Sequence, residues 1–250
     1  MGGVFVNMFN FSTEFIWIAG FAFLSALING IGIFAISKKK KWVEKAKNYF
    51  MCFAAGILVT TPLILALPNA LQKNSWAGFA ALGGFLFMFF SKKIIDHYIE
   101  EDSLVFGAVT AQGIGIHSFI DGVVYAVTFQ VSILIGVLAA IGMVVHEFAE
   151  GVITYSALIK SNISQKKAFW SAFAIAGLTT PLGAFVGYPI VSLFNQKTLG
   201  GVLGFVAGVL LFISASHLLP EAESGEDEHS IGAFSLGVGI ALFIFLSKFL

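Results

Sequence analysis

Charge is the scarcest commodity in this chain. Only 11% of its 250 residues are charged, and arginine is missing altogether, so all fourteen basic residues are lysines. A soluble domain carries roughly 25% charge, and no single core hides a chain that is 58% hydrophobic with a mean hydropathy of +0.91. Lipid is therefore the solvent for most side chains. Acid and base cancel to a formal net charge of zero, which excludes the basic surface that a nucleic-acid partner needs. Cysteine occurs once, as Cys52 inside an apolar run. Neither a disulfide framework nor a cysteine metal cluster can form within one chain. No basic segment precedes the first apolar run, and that run is long enough to span, so a cleavable signal peptide is not expected.

Alternating ten-residue segments are also lacking, which removes a β-barrel. What remains is eight continuous apolar runs, at about 14–36, 49–71, 76–97, 104–129, 132–159, 168–194, 199–220 and 231–249. Each is close to the ~20 residues that a helix needs to cross a bilayer. Since lipid offers no hydrogen bonds, spans of this length satisfy their backbone as helices. The expectation is an all-α, polytopic membrane protein with 1–250 forming one transmembrane domain, and the bilayer its principal partner.

The lysines give that bundle a direction. Lys38, Lys39, Lys40, Lys41, Lys45, Lys47, Lys92, Lys93, Lys160, Lys166 and Lys167 fall on one face, against Lys73, Lys197 and Lys248 on the other. By the positive-inside rule the richer face is cytoplasmic and both termini lie outside the cytoplasm.

Most acids sit at span ends or in loops. Asp96, Glu100, Glu101 and Asp102 cluster with His97, and Glu221, Glu223, Glu226, Asp227 and Glu228 with His229. These are weak cytoplasmic landing sites for a cation or plain solvated loops. Asp121, Glu147 and Glu150 are different, because they fall inside spans four and five. A carboxylate at mid-bilayer costs ~3 kcal/mol on insertion scales, so it must be paired, protonated or bound to a cation. No lysine reaches the same depth, which leaves a metal ion or a proton as the balancing charge.

Histidine accompanies each acid. Span four reads His117-Ser118-Phe119-Ile120-Asp121-Gly122, and span five reads His146-Glu147-Phe148-Ala149-Glu150-Gly151. Both fit H-x-F-x-[DE]-G at an offset of 29 residues. Positions i and i+4 share one helix face, so each segment aims an imidazole and a carboxylate in the same direction. Two such helices face to face supply two nitrogen and two oxygen donors, a set that suits zinc, iron or manganese better than calcium or magnesium. One His–Asp pair alone would as readily be a helix–helix hydrogen bond. The matched second pair, with no basic partner, favours ligation. His217 is a candidate relay ligand or an interfacial histidine. Glu147 is a candidate for a weak second ion, for orienting a histidine, or for carrying a proton.

A further echo links spans two and seven. Ala55-Gly56 precedes Leu67-Pro68-Asn69-Ala70, and Ala207-Gly208 precedes Leu219-Pro220-Glu221-Ala222, with twelve residues from Gly to Pro in both. Inverted repeats of this kind are common in secondary transporters. Chance similarity between apolar helices bearing Gly and Pro is the alternative.

The paired motifs resemble those of the ZIP family of zinc and iron transporters in its small prokaryotic form, H-N-x-P-[DE]-G in span four and H-E-x-P-E-G in span five. The resemblance extends over the whole chain. It implies a 3+2+3 arrangement of spans with inverted repeats and inward transport of divalent metal by alternating access. It also implies a site built from His117, Asp121, His146 and Glu150. The metal is then substrate: zinc first, with iron, manganese or cadmium acceptable to the same donors, and no organic cofactor is called for. A homodimer is carried as an expectation. Departures from the pattern are specific. Ser118 replaces the usual Asn, and Ile120 and Ala149 replace the motif prolines, which leaves two more backbone hydrogen bonds intact. In span six, Thr180 stands before Pro181-Leu182-Gly183 where many prokaryotic members carry an acid. Thr180 and Ser118 are weak donors, so a single tightly held ion is expected. A rival reading is an intramembrane metal-dependent hydrolase, since His146-Glu147-Phe148-Ala149-Glu150 resembles H-E-x-x-H with Glu for the second His.

Overall fold

A computed structural model describes residues 12–98, 103–220 and 229–247. Among the described residues there is no strand, and eight helices are long and apolar enough to cross a membrane. They are α1 (Thr13–Lys38), α2 (Lys40–Lys73), α3 (Ala77–Tyr98), α4 (Ser103–Val131), α5 (Ile133–Lys160), α6 (Gln165–Val191), α7 (Gln196–Ile213, continued by Ser214–Leu218) and α8 (His229–Leu246). Most ends agree with the apolar runs to within three residues. The start of α2 does not: the helix begins nine residues before the apolar run. Lysine and glutamate are good helix formers, so the polar stretch after Lys40 continues the helix beyond the part that hydropathy can detect. Two ends carry side-chain caps. Ser12 Oγ accepts the Phe15 N–H at 3.2 Å, and Asn195 Oδ1 accepts that of Thr198 at 2.9 Å.

Among the described residues, three helices contain a single π-turn, at Pro62–Ala66 in α2, Phe173–Gly177 in α6 and Ser214–Leu218 in α7. Each lies two to four residues before a proline, Pro68, Pro181 or Pro220. A proline ring collides with the carbonyl four residues earlier, and the wider turn relieves that collision. In α7 the carbonyl that Pro220 cannot bond, Ser216 O, accepts Lys92 Nζ instead at 3.2 Å. The α4 and α5 spans, where Ile120 and Ala149 stand in place of proline, are uninterrupted.

Helices pair as α1 with α5, α4 with α6, α2 with α8, and α3 with α7, while α4, α5 and α2 meet in the middle. Lipid supplies no hydrophobic drive between helices, so small residues that permit close contact decide the pairs. Here each pair is closed by at least two glycines, each facing the partner's backbone. A Cβ on Gly122 would lie 2.0 Å from Thr180 O, and one on Gly183 2.0 Å from Phe119 O. Gly32 and Gly151 meet Phe148 O and Asn29 O in the same way, Gly56 and Gly237 meet Phe234 O and Phe53 O, and Gly84 and Gly208 meet Phe205 O and Ala81 O. Backbones this close place Cα–H groups against carbonyl oxygens, a weak but recurrent attraction. The apolar stretch of α5 is 72% buried against 17% for those of α3 and α8, so α5 is the central helix and those two are peripheral.

Candidate metal centre

The α4 and α5 helices cross with their histidine–carboxylate segments facing. His146 Nε2 lies 3.0 Å from Asp121 Oδ2 and 3.3 Å from Glu150 Oε1. His117 Nε2 lies 3.1 Å from Glu150 Oε1 and 3.6 Å from Asp121 Oδ2. The four donor atoms thus form a ring in which nitrogen and oxygen alternate, and all lie within 4.8 Å of one another. A tetrahedral ion with donors at about 2.0–2.1 Å sets neighbouring donors about 3.3–3.4 Å apart. The observed edges of 3.0–3.6 Å bracket that spacing. The spacing along these four edges suits a small divalent ion.

Burial sharpens the chemistry. Asp121, His146 and Glu150 are at most 3% exposed, whereas the His117 side chain is 15% exposed and forms the open edge. Asp121 Oδ1 is buried and accepts no hydrogen bond, which leaves a lone pair available. The two imidazoles meet edge to face, with centroids 5.9 Å apart. The Nδ1 of His146 faces Gly142 O, one turn earlier, at 3.4 Å. Donation of Nδ1–H to that carbonyl assigns the tautomer in which Nε2 keeps its lone pair toward the cluster. The carboxylates carry two negative charges, which a divalent ion neutralises in a medium where bare charge is expensive.

Among the weaker candidates, Ser118 Oγ lies 2.8 Å from Glu150 Oε2 and 2.9 Å from Ile114 O, two acceptors for its single hydroxyl proton. It holds the carboxylate from behind. Glu147 is buried but points away from the four-donor ring: Thr180 Oγ1 donates to its Oε1 at 2.6 Å and Asn29 Nδ2 to its Oε2 at 3.0 Å. Thr180 therefore serves Glu147, not the ring. The His217 side chain, the His97 side chain and the acids at 100–102 and 221–228 lie outside the described residues. His229 is exposed at the start of α8, its ring edge-on to Tyr49 with centroids 6.4 Å apart.

Sequence reasoning missed Asn29. The available signal was a lone amide in the long apolar run of α1, followed three residues later by Gly32, just as Thr180 is followed by Gly183. Asn29 and Thr180 occupy matching places, each beside a glycine contact to the motif helix and each bonded to Glu147. Missed too was the contact of Ser25 Oγ with Tyr125 Oη at 2.6 Å, one turn away from both Asn29 and Asp121.

Comparison with known proteins gives the family. A sequence model of the family described as ZIP zinc transporter matches residues 100–247. The zinc transporter ZupT of Streptococcus mutans is 31% identical over 88% of this chain and 95% of its own length. ZupT of Chlorobium limicola is 32% identical over 87% of this chain and 92% of its own. ZupT of Corynebacterium aurimucosum is 29% identical over 90% and 97%. These relatives are transporters, not enzymes, which sets the hydrolase reading aside. Eight membrane-length helices, two facing histidine–carboxylate segments and full-length relatives together establish that the chain belongs to the ZIP zinc transporter family.

Proposed function

We propose that this protein carries divalent transition-metal ions, zinc foremost, into the cytoplasm, with His117, Asp121, His146 and Glu150 holding the ion in transit. The observation that carries the reading is the alternating ring of nitrogen and oxygen donors with edges of 3.0–3.6 Å. A hydrated ion entering the bilayer sheds its water. Four protein donors and two negative charges offset that loss. Iron, manganese and cadmium accept the same donors, so discrimination among them rests on affinity and supply.

Alternating access is the mechanism that the helix pairing supports. Exchanging α1 with α6, α2 with α7, α3 with α8 and α4 with α5 turns every close glycine pair into another one. The π-turns of α2 and α7 fall at the same distance before Pro68 and Pro220 under that exchange. Such correspondence favours a 3+2+3 chain built from inverted repeats, with the site between them and one single domain. Two halves that can swap conformations open the site to either face in turn. The lysine distribution puts the receiving face on the lysine-rich side.

Purified protein in liposomes should take up radioactive zinc saturably toward the lysine-rich face. Protons compete for the imidazole lone pairs, so apparent affinity should fall as the pH on the loading side drops through about 6.5, the ordinary histidine value. The sign is fixed by the chemistry, since a protonated imidazole has no lone pair to offer. Equal affinity at about pH 5.5 and about pH 7.5 would contradict a histidine-containing site.

A further inference from the structure

Among the described residues of α4 and α5, Glu147 is the carboxylate that takes no part in the four-donor ring, and both of its oxygens are already engaged. Thr180 Oγ1 reaches Oε1 from α6 at 2.6 Å, and Asn29 Nδ2 reaches Oε2 from α1 at 3.0 Å. The same Asn29 amide lies 3.3 Å from the Glu147 main-chain oxygen. The Asn29 main-chain oxygen in turn packs where a Cβ on Gly151 would be, at 2.4 Å. Asn29, Glu147 and Thr180 are 0%, 1% and 0% exposed, so no water competes at the surface for these bonds. One residue of α1 thus clasps the α5 turn that carries both Glu147 and Glu150.

We propose that Asn29, acting with Thr180, fixes Glu147 as a hydrogen-bonded anchor between α1, α5 and α6, and that Asn29 thereby limits the centre to one divalent ion. Asn29 is a positioning residue here, not a ligand. The argument is one of donors and acceptors. A carboxylate that accepts from an amide N–H and a hydroxyl has its charge partly satisfied without a cation. Both groups must be turned away before a metal can take their place. Two divalent ions a few ångströms apart also repel strongly where the dielectric is low, so they coexist only with additional shared anions. The lock leaves two anions, Asp121 and Glu150, for the ring, enough for one ion. Replacing either donor by an acid would remove the lock and add an anion in one change.

The proposal rests on the four-donor ring as the transport site, and the test separates the two. Zinc bound per chain is measured on the full-length protein in detergent by elemental analysis after desalting, for the wild type, Asn29→Asp, Thr180→Glu and His146→Ala. The expected result is one zinc in the wild type, two in Asn29→Asp and in Thr180→Glu, and none retained in His146→Ala. A purely structural role for Asn29 would lower the yield of folded protein but would not add a zinc. Two zinc ions in the wild type, or folded acid variants that still hold one, would overturn the lock. If one zinc survives in His146→Ala, the ring itself is misassigned. The two acid variants approach Glu147 from different helices, so failure of one to fold leaves the other to report, and the wild-type count stands independently of both.

Discussion

Alanine at Asp121, Glu150, His146 or His117 is expected to abolish saturable zinc uptake while the protein still inserts and folds. Each substitution removes one of four donors from a ring whose members sit 3.0–3.6 Å apart. At Asp121 and Glu150 it also removes half of the negative charge that offsets loss of the hydration shell. Losing an outer-sphere partner typically costs 10–100-fold in metal affinity. Loss of a direct ligand should therefore reduce uptake at low zinc by more than about 100-fold. In Asp121→Ala and Glu150→Ala folding should be spared because an empty cluster of buried acids is itself unfavourable in lipid, and alanine relieves it; the two histidine variants leave both acids in place, so membrane yield is their control. Ser118→Ala makes a useful contrast. It removes only the hydroxyl behind Glu150 Oε2 and should weaken affinity by about 10-fold. Uptake assays on reconstituted protein, with membrane yield measured alongside, check all five. Normal rates in both Asp121→Ala and Glu150→Ala would show that the ion travels elsewhere.

A large loss of stability is expected from a side chain at Gly84, with its neighbour as the control. A Cβ on Gly84 would lie 2.0 Å from Phe205 O and 2.9 Å from the same residue's carbonyl carbon, whereas a Cβ on Gly83 meets nothing within 4 Å. Main-chain atoms cannot swing aside as a flexible side chain can, so leucine at Gly84 must push α3 off α7. The cost should be about 3–5 kcal/mol, the upper range for overpacking and backbone collision. Leucine at Gly83 faces lipid and should change stability little. Gly122→Leu should resemble Gly84→Leu, because its Cβ would meet Thr180 O at 2.0 Å, and it would also displace the helix that carries His117 and Asp121. Thermal unfolding in detergent, followed by the loss of monodisperse protein, reads these differences. Equal melting of the Gly83 and Gly84 variants would mean that the glycine contacts do not hold the pairs together.

Much of this architecture was legible because lipid simplifies the code. Spans of about twenty apolar residues can only be helices, and an acid among them announces a partner. The i, i+4 spacing of His117 with Asp121 and of His146 with Glu150 puts each pair on one face of its own helix. Side-chain direction within a polar pair was harder to read. Glu147 follows His146 directly, and adjacency along a helix turns the two side chains about 100° apart. That rotation carries Glu147 out of the ring and toward α1 and α6, and only the packing of those helices shows what it meets there. Asn29 went unnoticed for a related reason. Its role depends on α1 lying against α5, a contact between residues more than a hundred positions apart, made close by Gly32 and Gly151. The polar start of α2 was hidden because hydropathy registers lipid contact and not helicity. The π-turns left only an indirect trace in the prolines that follow them.

The central claim is that one divalent ion sits among His117, Asp121, His146 and Glu150 on its way across the membrane. Diffraction from zinc-loaded crystals, collected on both sides of the zinc absorption edge, tests it most directly. The expected result is one strong anomalous peak within about 2.0–2.2 Å of His117 Nε2, His146 Nε2 and an oxygen of each carboxylate. A peak of comparable height beside Glu147, or a fully loaded protein with no density inside the ring, would contradict it.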